Sequence, residues 1–132
     1  MELEELGGKW PKRMYLASPY SDDSRIVMKR RFEQICFHAG TLMSLGVIVF
    51  SPIAHTHPIC VANQFPRDYS FWEKFDRAFV TWCQVFVVCG MEGWQESTGV
   101  NGEFNLATEI GRDRYLWNLE TGLLEPLNEI SK

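Results

Sequence analysis

Apolar residues along this chain occur in short uninterrupted runs that alternate with segments of helical spacing. The runs at 14–17, 47–50 and 85–89 show no polar alternation, which is typical of strands covered on both faces of a parallel sheet. In the segment 24–45 apolar residues recur every three or four positions, and Gly46 follows, so a helix that ends at this glycine is predicted.

Later segments extend this alternation. The segments 68–82 and 100–111 have helical spacing, and 114–117 is predicted to be the last strand. The segment 51–67, which contains prolines and histidines, is predicted to be a long loop of the kind that often carries function. The core face of the helix at 68–82 is predicted to be aromatic, formed by Phe71, Trp72, Phe75, Phe79 and Trp82.

Strands that alternate with helices predict an open α/β sheet with right-handed crossovers. The 132 residues suffice for a single domain with one core, preceded by a polar lead-in at 1–13 and followed by a C-terminal tail at 118–132. Ligands of such sheets bind at the carboxyl ends of the strands. The loops at 18–23, 51–67 and 90–99 are therefore expected to meet at one site.

Composition and charge narrow the possible functions. A hydrophobic fraction of 45% indicates a packed globule, and a net charge of −4 gives no basic field for a nucleic-acid polymer. No apolar run approaches the ~20 residues that cross a bilayer, and the acidic start lacks a signal-peptide core. A cytoplasmic protein without a membrane partner is expected. The four cysteines form no C-x-x-C pair, which favours reduced thiols over a zinc or disulfide framework.

The segment after the third strand carries the clearest candidate chemistry. Ser97, Thr98 and Gly99 open a helix, and backbone N–H groups at such a position can hold an anion. Glu103 lies on the apolar stripe of this helix, so its carboxylate would lie beside the molecule that carries the anion. Two interpretations stay open, because Ser97 can act only as a helix cap and Glu103 can simply favour the helix dipole.

Asp76 presents a similar choice, because it lies at the edge of the apolar face of the helix at 68–82. If it points outward, it is a solvated carboxylate at the helix border. If Asp76 and Glu103 both point inward, they form a pair that can divide the roles of nucleophile and acid/base at a glycosidic carbon.

Other polar side chains are candidate ligand contacts. Ser18 and Ser21 follow the first strand, where a second phosphate contact could arise. His55 and His57 lack a nearby cysteine or carboxylate that would complete a metal site, so contact with a ligand's base or stabilisation of the loop is expected instead. Trp94 either packs or covers a planar ring. Three arginines form a mostly solvated helix face from which one could reach an anion: Arg25, Arg30 and Arg31.

Three segments occur in an order that resembles a known family. They are Tyr15-Leu16-Ala17-Ser18-Pro19-Tyr20, a helix that bears Asp76, and Ser97-x-Gly99-x-x-x-Glu103-x-x-x-Ala107. Together, over about residues 15–117, they resemble the nucleoside 2-deoxyribosyltransferase superfamily, which includes the 2′-deoxynucleoside 5′-phosphate N-hydrolases. The resemblance implies a Rossmann-like or flavodoxin-like open parallel sheet of four to five strands with helices on both faces. It also implies a homodimer or higher homo-oligomer that cleaves or exchanges an N-glycosidic bond.

The resemblance also implies roles for individual residues. Glu103 matches the nucleophile that attacks C1′, Asp76 matches the carboxylate that supports departure of the base, and Tyr15 matches a first-strand tyrosine near the sugar. Ser97 stands where the nucleotide hydrolases carry serine and the transferases acting on free nucleosides tend to carry an acid. An acid there would repel a phosphate, whereas serine can donate to it.

The expected function is therefore hydrolysis of a (2′-deoxy)nucleoside 5′-monophosphate to a free base and (deoxy)ribose 5-phosphate, with no metal or organic cofactor. A transferase that exchanges bases is one alternative. A nucleotide sensor without turnover is another, because Gln84 stands where many relatives have Asp. An unrelated flavodoxin-like signalling domain would leave Glu103 exposed and unpaired. The expected substrate contacts are Ser97, Gly99, Ser18, Pro19, Ser21, His55, His57 and Trp94.

Overall fold

The computed structural model describes residues 1–66 and 68–131 and contains one five-stranded sheet. The strands are β1 (Arg13–Ala17), β2 (Ile48–Phe50), β3 (Val85–Cys89), β4 (Asp113–Trp117) and β5 (Leu124–Pro126). The helices are α1 (Arg25–Ser44), α2 (Pro52–Asn63), α3 (Tyr69–Trp82) and α4 (Thr98–Glu109), preceded by a 3₁₀ turn at Leu3–Leu6.

The sheet order is β2-β1-β3-β4-β5. The first four strands in this order are parallel, and β5 pairs antiparallel with β4. This architecture confirms the predicted open α/β sheet. Because β5 belongs to the predicted tail at 118–132, part of that tail is an edge strand.

Successive residues of β1 point to opposite faces of the sheet and join two separate cores. Met14 and Leu16 pack in a cluster with residues of α1, whereas Tyr15 and Ala17 pack in a cluster with residues of α3 and α4. Burial of each large apolar side chain contributes roughly 1.5–3 kcal/mol. The alternation also places Tyr15 on the face that carries α3 and α4.

The predicted loop at 51–67 is wrong over most of its length, because α2 occupies 52–63. Ser51 caps this helix by accepting a hydrogen bond from the Ala54 N–H at 3.2 Å. Pro52 occupies the first turn, where its missing N–H is not needed. Pro58 lies inside the helix, and this proline favours the loop interpretation when the sequence is considered alone. Arg67, the predicted end of the loop, lies outside the described residues.

The predicted core face of α3 is wrong for Phe71, Phe75 and Trp82, whereas Phe79 packs against the cluster on the α4 side of the sheet. Phe75 is 46% exposed and Phe71 and Trp82 are exposed as well, whereas the buried residues of α3 are Asp76 and Val80. The aromatic rings instead contact one another at the surface, with Phe71 and Trp72 centroids 5.0 Å apart. Spacing reveals an apolar stripe but not which neighbour covers it, and here the sheet-facing side holds a carboxylate.

The predicted polar lead-in at 1–13 contributes to the core. Leu3 and Leu6 are buried in the cluster on the α1 side of the sheet, and Arg13 begins β1. The Leu124 N–H donates to the Met1 carbonyl at 2.8 Å, which ties the chain start to β5. Among the described helices, none combines the length and apolar character that a transmembrane span requires.

Candidate active site

A cavity of about 610 Å³ lies where the loops after β1, β2 and β3 meet, at the carboxyl ends of these strands. This is the position predicted from the order of strands and helices. The size is ordinary for a small-molecule site. The side chains that matter most for its chemistry are Ser18, Arg31, Tyr69, Asp76, Ser97, Gly99 and Glu103.

Both candidate carboxylates point inward. Glu103 is 4% exposed and lies on the same stripe of α4 as the buried residues Val100 and Ala107. Asp76 is 8% exposed and faces the same cavity from α3. Because ionised carboxylates are seldom buried without partners, this arrangement needs a specific electrostatic explanation.

Hydrogen bonds link the two carboxylates to Tyr15. The Tyr15 hydroxyl donates to Glu103 Oε2, and the side chains of Glu103 and Asp76 are themselves hydrogen-bonded. Tyr15 is fully buried and lies between Phe50 and Phe86, with ring centroids 5.9 Å and 5.6 Å away. Burial raises the pKa of Tyr15 well above 10, and the charges of Glu103 and Asp76 raise it further. Tyr15 is therefore a neutral donor to Glu103.

The two carboxyl groups hold a proton near neutral pH. Burial raises the pKa of Asp76 from 3.8 to about 7, although its hydrogen bond with Glu103 acts in the opposite direction. Burial and then the Asp76 charge raise the pKa of Glu103 well above its ordinary value, and the Tyr15 hydroxyl opposes this shift. The pair therefore titrates as a unit and offers one acid and one carboxylate at the same time.

This pair gives a prediction for stability against pH. The unfolded chain releases the Asp76 proton near pH 4, whereas the folded chain retains it until about pH 7. Folding stability is therefore highest below pH 4 with respect to this group and falls as pH rises through 7. Asp76→Asn removes the free-energy cost of ionising this buried carboxyl group. We therefore expect the variant to be more stable than the native chain at pH 8 by roughly 2–4 kcal/mol.

Chemical denaturation of both proteins at pH 5 and pH 8 measures this difference. The exposed residue Asp113 supplies the control Asp113→Asn, which has the same change of side chain outside the cavity. An Asp76→Asn protein that gains no stability over the native chain between these pH values contradicts the assignment of a shared proton.

The start of α4 combines a cap with an opening into the cavity. Ser97 Oγ accepts a hydrogen bond from the Val100 N–H at 3.2 Å, so it caps the helix as one of the two interpretations predicts. A serine hydroxyl that accepts one bond still has a proton to donate. Asn101 holds the preceding loop in place by donating to the carbonyls of Gln95 and Ser97 at 2.9 and 2.8 Å.

Gly99 separates the capping hydroxyl from the buried carboxylate. Glu103 Oε1 and Ser97 Oγ each lie 3.9 Å from the position that a Cβ would take at Gly99. The two oxygens are therefore within about 8 Å of each other, and both border the space that a side chain at Gly99 would fill.

The remaining predicted contacts fall inside and outside the cavity. Ser18 and Ser21 line it, and Ser18 Oγ, buried at 3% exposure, has no hydrogen-bond partner within residues 1–66 and 68–131. Such a buried hydroxyl is available to a ligand. Pro19 is buried and Trp94 packs against the apolar cluster on the α4 side, and neither is among the lining residues that the structure describes.

The two histidines also lie outside the described lining. His55 is exposed, with its ring 5.7 Å from the ring of Phe50. His57 Nδ1 is 2.6 Å from the hydroxyl of Tyr20, and the His57 ring stacks on Phe32 at 4.2 Å. Tyr20 lines the cavity, so His57 contacts a lining residue without being one of the described lining residues itself.

The sequence does not predict Tyr69 as a cavity residue, and the structure singles out Arg31 among the three candidate arginines. The Tyr69 ring lies on the first turns of α4, where a Cβ at Gly102 would be 2.6 Å from its Cζ. The pair Gly99 and Gly102 signals this contact, because glycines three residues apart share one helix face. Arg31 lines the cavity from α1, and its spacing from the buried residues Met28 and Ile35 is the corresponding signal.

Gln84 lies away from this cavity. Its Oε1 accepts a hydrogen bond from the Arg13 N–H at 3.0 Å, at the start of β1 and β3. The cavity is at the opposite ends of these strands, and Gln84 is not among the described residues that line it. Over the described ranges, no group of three or more potential ligand side chains is placed to hold a metal ion.

Comparison with known proteins gives the family. A family model described as "Domain of unknown function (DUF1937)" matches residues 12–119, which include every element from β1 to β4. The chain therefore belongs to this family. A search of curated proteins found no match.

Proposed function

We propose that this member of the DUF1937 family is an N-glycosidase that hydrolyses a (2′-deoxy)nucleoside 5′-monophosphate to a free base and (deoxy)ribose 5-phosphate. The observation that carries the proposal is the buried hydrogen-bonded series Tyr15–Glu103–Asp76 at the cavity. Pairs of carboxyl groups, one acting as acid and the other as nucleophile or base, are the usual catalysts of glycosidic bond cleavage. The resemblance to the deoxyribosyltransferase superfamily supports the same assignment.

In the first step, a Glu103 carboxylate oxygen bonds to C1′ as the bond from C1′ to the base nitrogen breaks. The electron pair of the broken bond goes to the base, which takes a proton from Asp76. The Tyr15 hydroxyl stabilises the Glu103 carboxylate before attack. In the second step, water bonds to C1′ and gives its proton to Asp76, and Glu103 leaves as a carboxylate.

The proposed substrate lies between Glu103 and the start of α4. Its phosphate oxygens accept hydrogen bonds from the Ser97 hydroxyl and from the first N–H groups of α4, which have no acceptor within the helix. Ser18 supplies a further hydroxyl from the end of β1. Exclusion of water by the burial of the carboxylates strengthens these electrostatic interactions.

The experiment is a panel of the common nucleoside 5′-monophosphates, ribo and deoxy, with chromatography of released base. We expect base and pentose 5-phosphate in equal amounts from at least one member of the panel. If every nucleotide is recovered intact while calorimetry shows binding, the nucleotide-sensor alternative replaces the hydrolase.

One observation favours a second candidate, base exchange on free nucleosides. Five carboxylates line the cavity, among them Asp22, Asp68 and Glu96 in addition to the pair, and such a lining accepts a neutral nucleoside more readily than a phosphate. Incubation of a deoxynucleoside with a second free base distinguishes the two reactions. A new nucleoside identifies a transferase, and released sugar alone identifies a hydrolase.

The substitution Gly99→Ala tests the proposed position of the sugar. The added methyl group would meet Tyr69, Glu103 and Ser97 at 3.8–3.9 Å, which is ordinary contact, so the protein should fold. Because the methyl group would fill the space between nucleophile and phosphate site, we expect kcat/KM to fall roughly 10- to 100-fold.

The matched control is Gly40→Ala in α1, where an added Cβ meets nothing within 4 Å. Both substitutions replace a helical glycine and should leave the melting temperature unchanged or slightly higher. Full activity in Gly99→Ala would show that the sugar does not lie at this position.

A further inference from the structure

Arg31 is held in place by backbone carbonyls at the cavity. Its Nη1 donates to the carbonyl oxygens of Ser21 and Tyr20, at 3.0 and 3.3 Å. The Arg31 side chain is half-buried, and its Nη2 would be 2.8 Å from a Cβ at Gly93. Gly93 has a φ of +89°, which favours glycine, and because glycine has no Cβ, no side chain at this position meets that edge of the guanidinium.

The charges around Arg31 are unusual for a site that takes a phosphate. Across the part of the chain that the structure describes, five carboxylates line the cavity and Arg31 is its one cationic side chain. Within the same described residues, no carboxylate lies at ion-pair distance from Arg31. Arginine has five N–H donors, so the two bonds to carbonyls leave donors on Nη2 and Nε.

We propose that Arg31 binds the phosphate of the substrate and thereby selects nucleoside 5′-monophosphates over nucleosides. This inference rests on the proposed function and assigns its substrate class to one residue. A phosphate among carboxylates is disfavoured unless a cation compensates it, whereas a nucleoside carries no charge at this end. The guanidinium donates in pairs to phosphate oxygens, and its fixed position means that little side-chain freedom is lost on binding.

The experiment compares one nucleoside 5′-monophosphate with its parent nucleoside for the native chain, Arg31→Gln and Arg30→Gln. Arg30 is the exposed neighbour of Arg31, so its variant has the same change of charge outside the cavity. In Arg31→Gln we expect kcat/KM for the nucleotide to fall roughly 10- to 100-fold and that for the nucleoside to change less than about threefold. Arg30→Gln should keep both values.

Other outcomes overturn the inference. Equal losses for nucleotide and nucleoside in Arg31→Gln would mean that Arg31 only shapes the loop through its bonds to Tyr20 and Ser21. Equal losses in both arginine variants would mean a general effect of net charge. If Arg31→Gln fails to fold, Arg31→Lys is the second variant. It keeps the positive charge but lacks the paired N–H donors of the guanidinium, so it should retain part of the preference for the nucleotide.

Absence of hydrolysis can be distinguished from absence of phosphate recognition by Arg31. If the native chain releases no base, calorimetry with the nucleotide and the nucleoside still measures their difference in affinity in all three proteins. Loss of that difference in Arg31→Gln alone supports phosphate recognition by Arg31 without catalysis. Retention of the difference overturns the inference whether or not the chain is an enzyme.

Discussion

Glu103→Gln should abolish base release, with kcat/KM reduced at least about 10³-fold on the best nucleotide of the panel. The amide is almost the same size as the carboxylate and can still accept the hydrogen bond from the Tyr15 hydroxyl. It cannot attack C1′, because it carries no negative charge. The loss should therefore appear in kcat, with substrate affinity largely retained.

The control for this variant is Glu109→Gln, which makes the same change at an exposed position of the same helix. We expect its kinetics to match those of the native chain. Because the buried carboxyl of Glu103 is costly when ionised, Glu103→Gln should unfold at the same temperature or higher. Activity within tenfold of the native chain in Glu103→Gln would falsify the nucleophilic role.

Asp76→Asn should lower kcat/KM by about 10²- to 10⁴-fold and change the shape of its pH profile. In the proposed mechanism the native pair reacts when it holds one proton and this proton lies on Asp76, with Glu103 ionised beside the Tyr15 hydroxyl. We therefore expect kcat/KM of the native chain to rise with pH through about 7, where the first proton leaves, and to fall at a higher pH as the second leaves. In Asp76→Asn only Glu103 ionises, so the fall at high pH should disappear.

Measurement of kcat/KM from pH 5 to 10 distinguishes this role from a structural one. A variant that is weaker at every pH but keeps both limbs of the profile would place the acid elsewhere. Substrates with a more acidic leaving base need less protonation and should be less affected by Asp76→Asn. Equal losses for all bases would count against proton donation by Asp76.

The sequence predicts the strands and the helix start that surround this site, because these elements depend on local patterns of residues. Uninterrupted apolar runs mark the parallel strands, and the apolar stripe of α4 that contains Glu103 is the one that the structure buries. Ser97 before an apolar stripe marks the helix start. These signals depend on neighbours three or four residues away, and they agree with one another.

The parts that escape prediction depend on long-range packing. The spacing of the aromatic stripe of α3 predicts a core face, but Phe71 and Phe75 are exposed, and the sheet-facing side holds Asp76. Spacing within one helix cannot report which face its neighbours cover. The expected homo-oligomer, which could cover this aromatic surface, stays a prediction. Tyr69 likewise enters the site through contacts between elements far apart in sequence, and such contacts also single out Arg31 among the three arginines of α1.

The contact between Tyr69 and Gly102 has a consequence for how the carboxyl groups of Asp76 and Glu103 are held. They lie on different helices, so their separation is set by the packing of α3 on α4. Because a Cβ at Gly102 would collide with the Tyr69 ring, the two helices can pack this closely only around a glycine. The two carboxyl groups are thus preorganised by a steric fit formed during folding, so a ligand would not have to spend binding energy on assembling them.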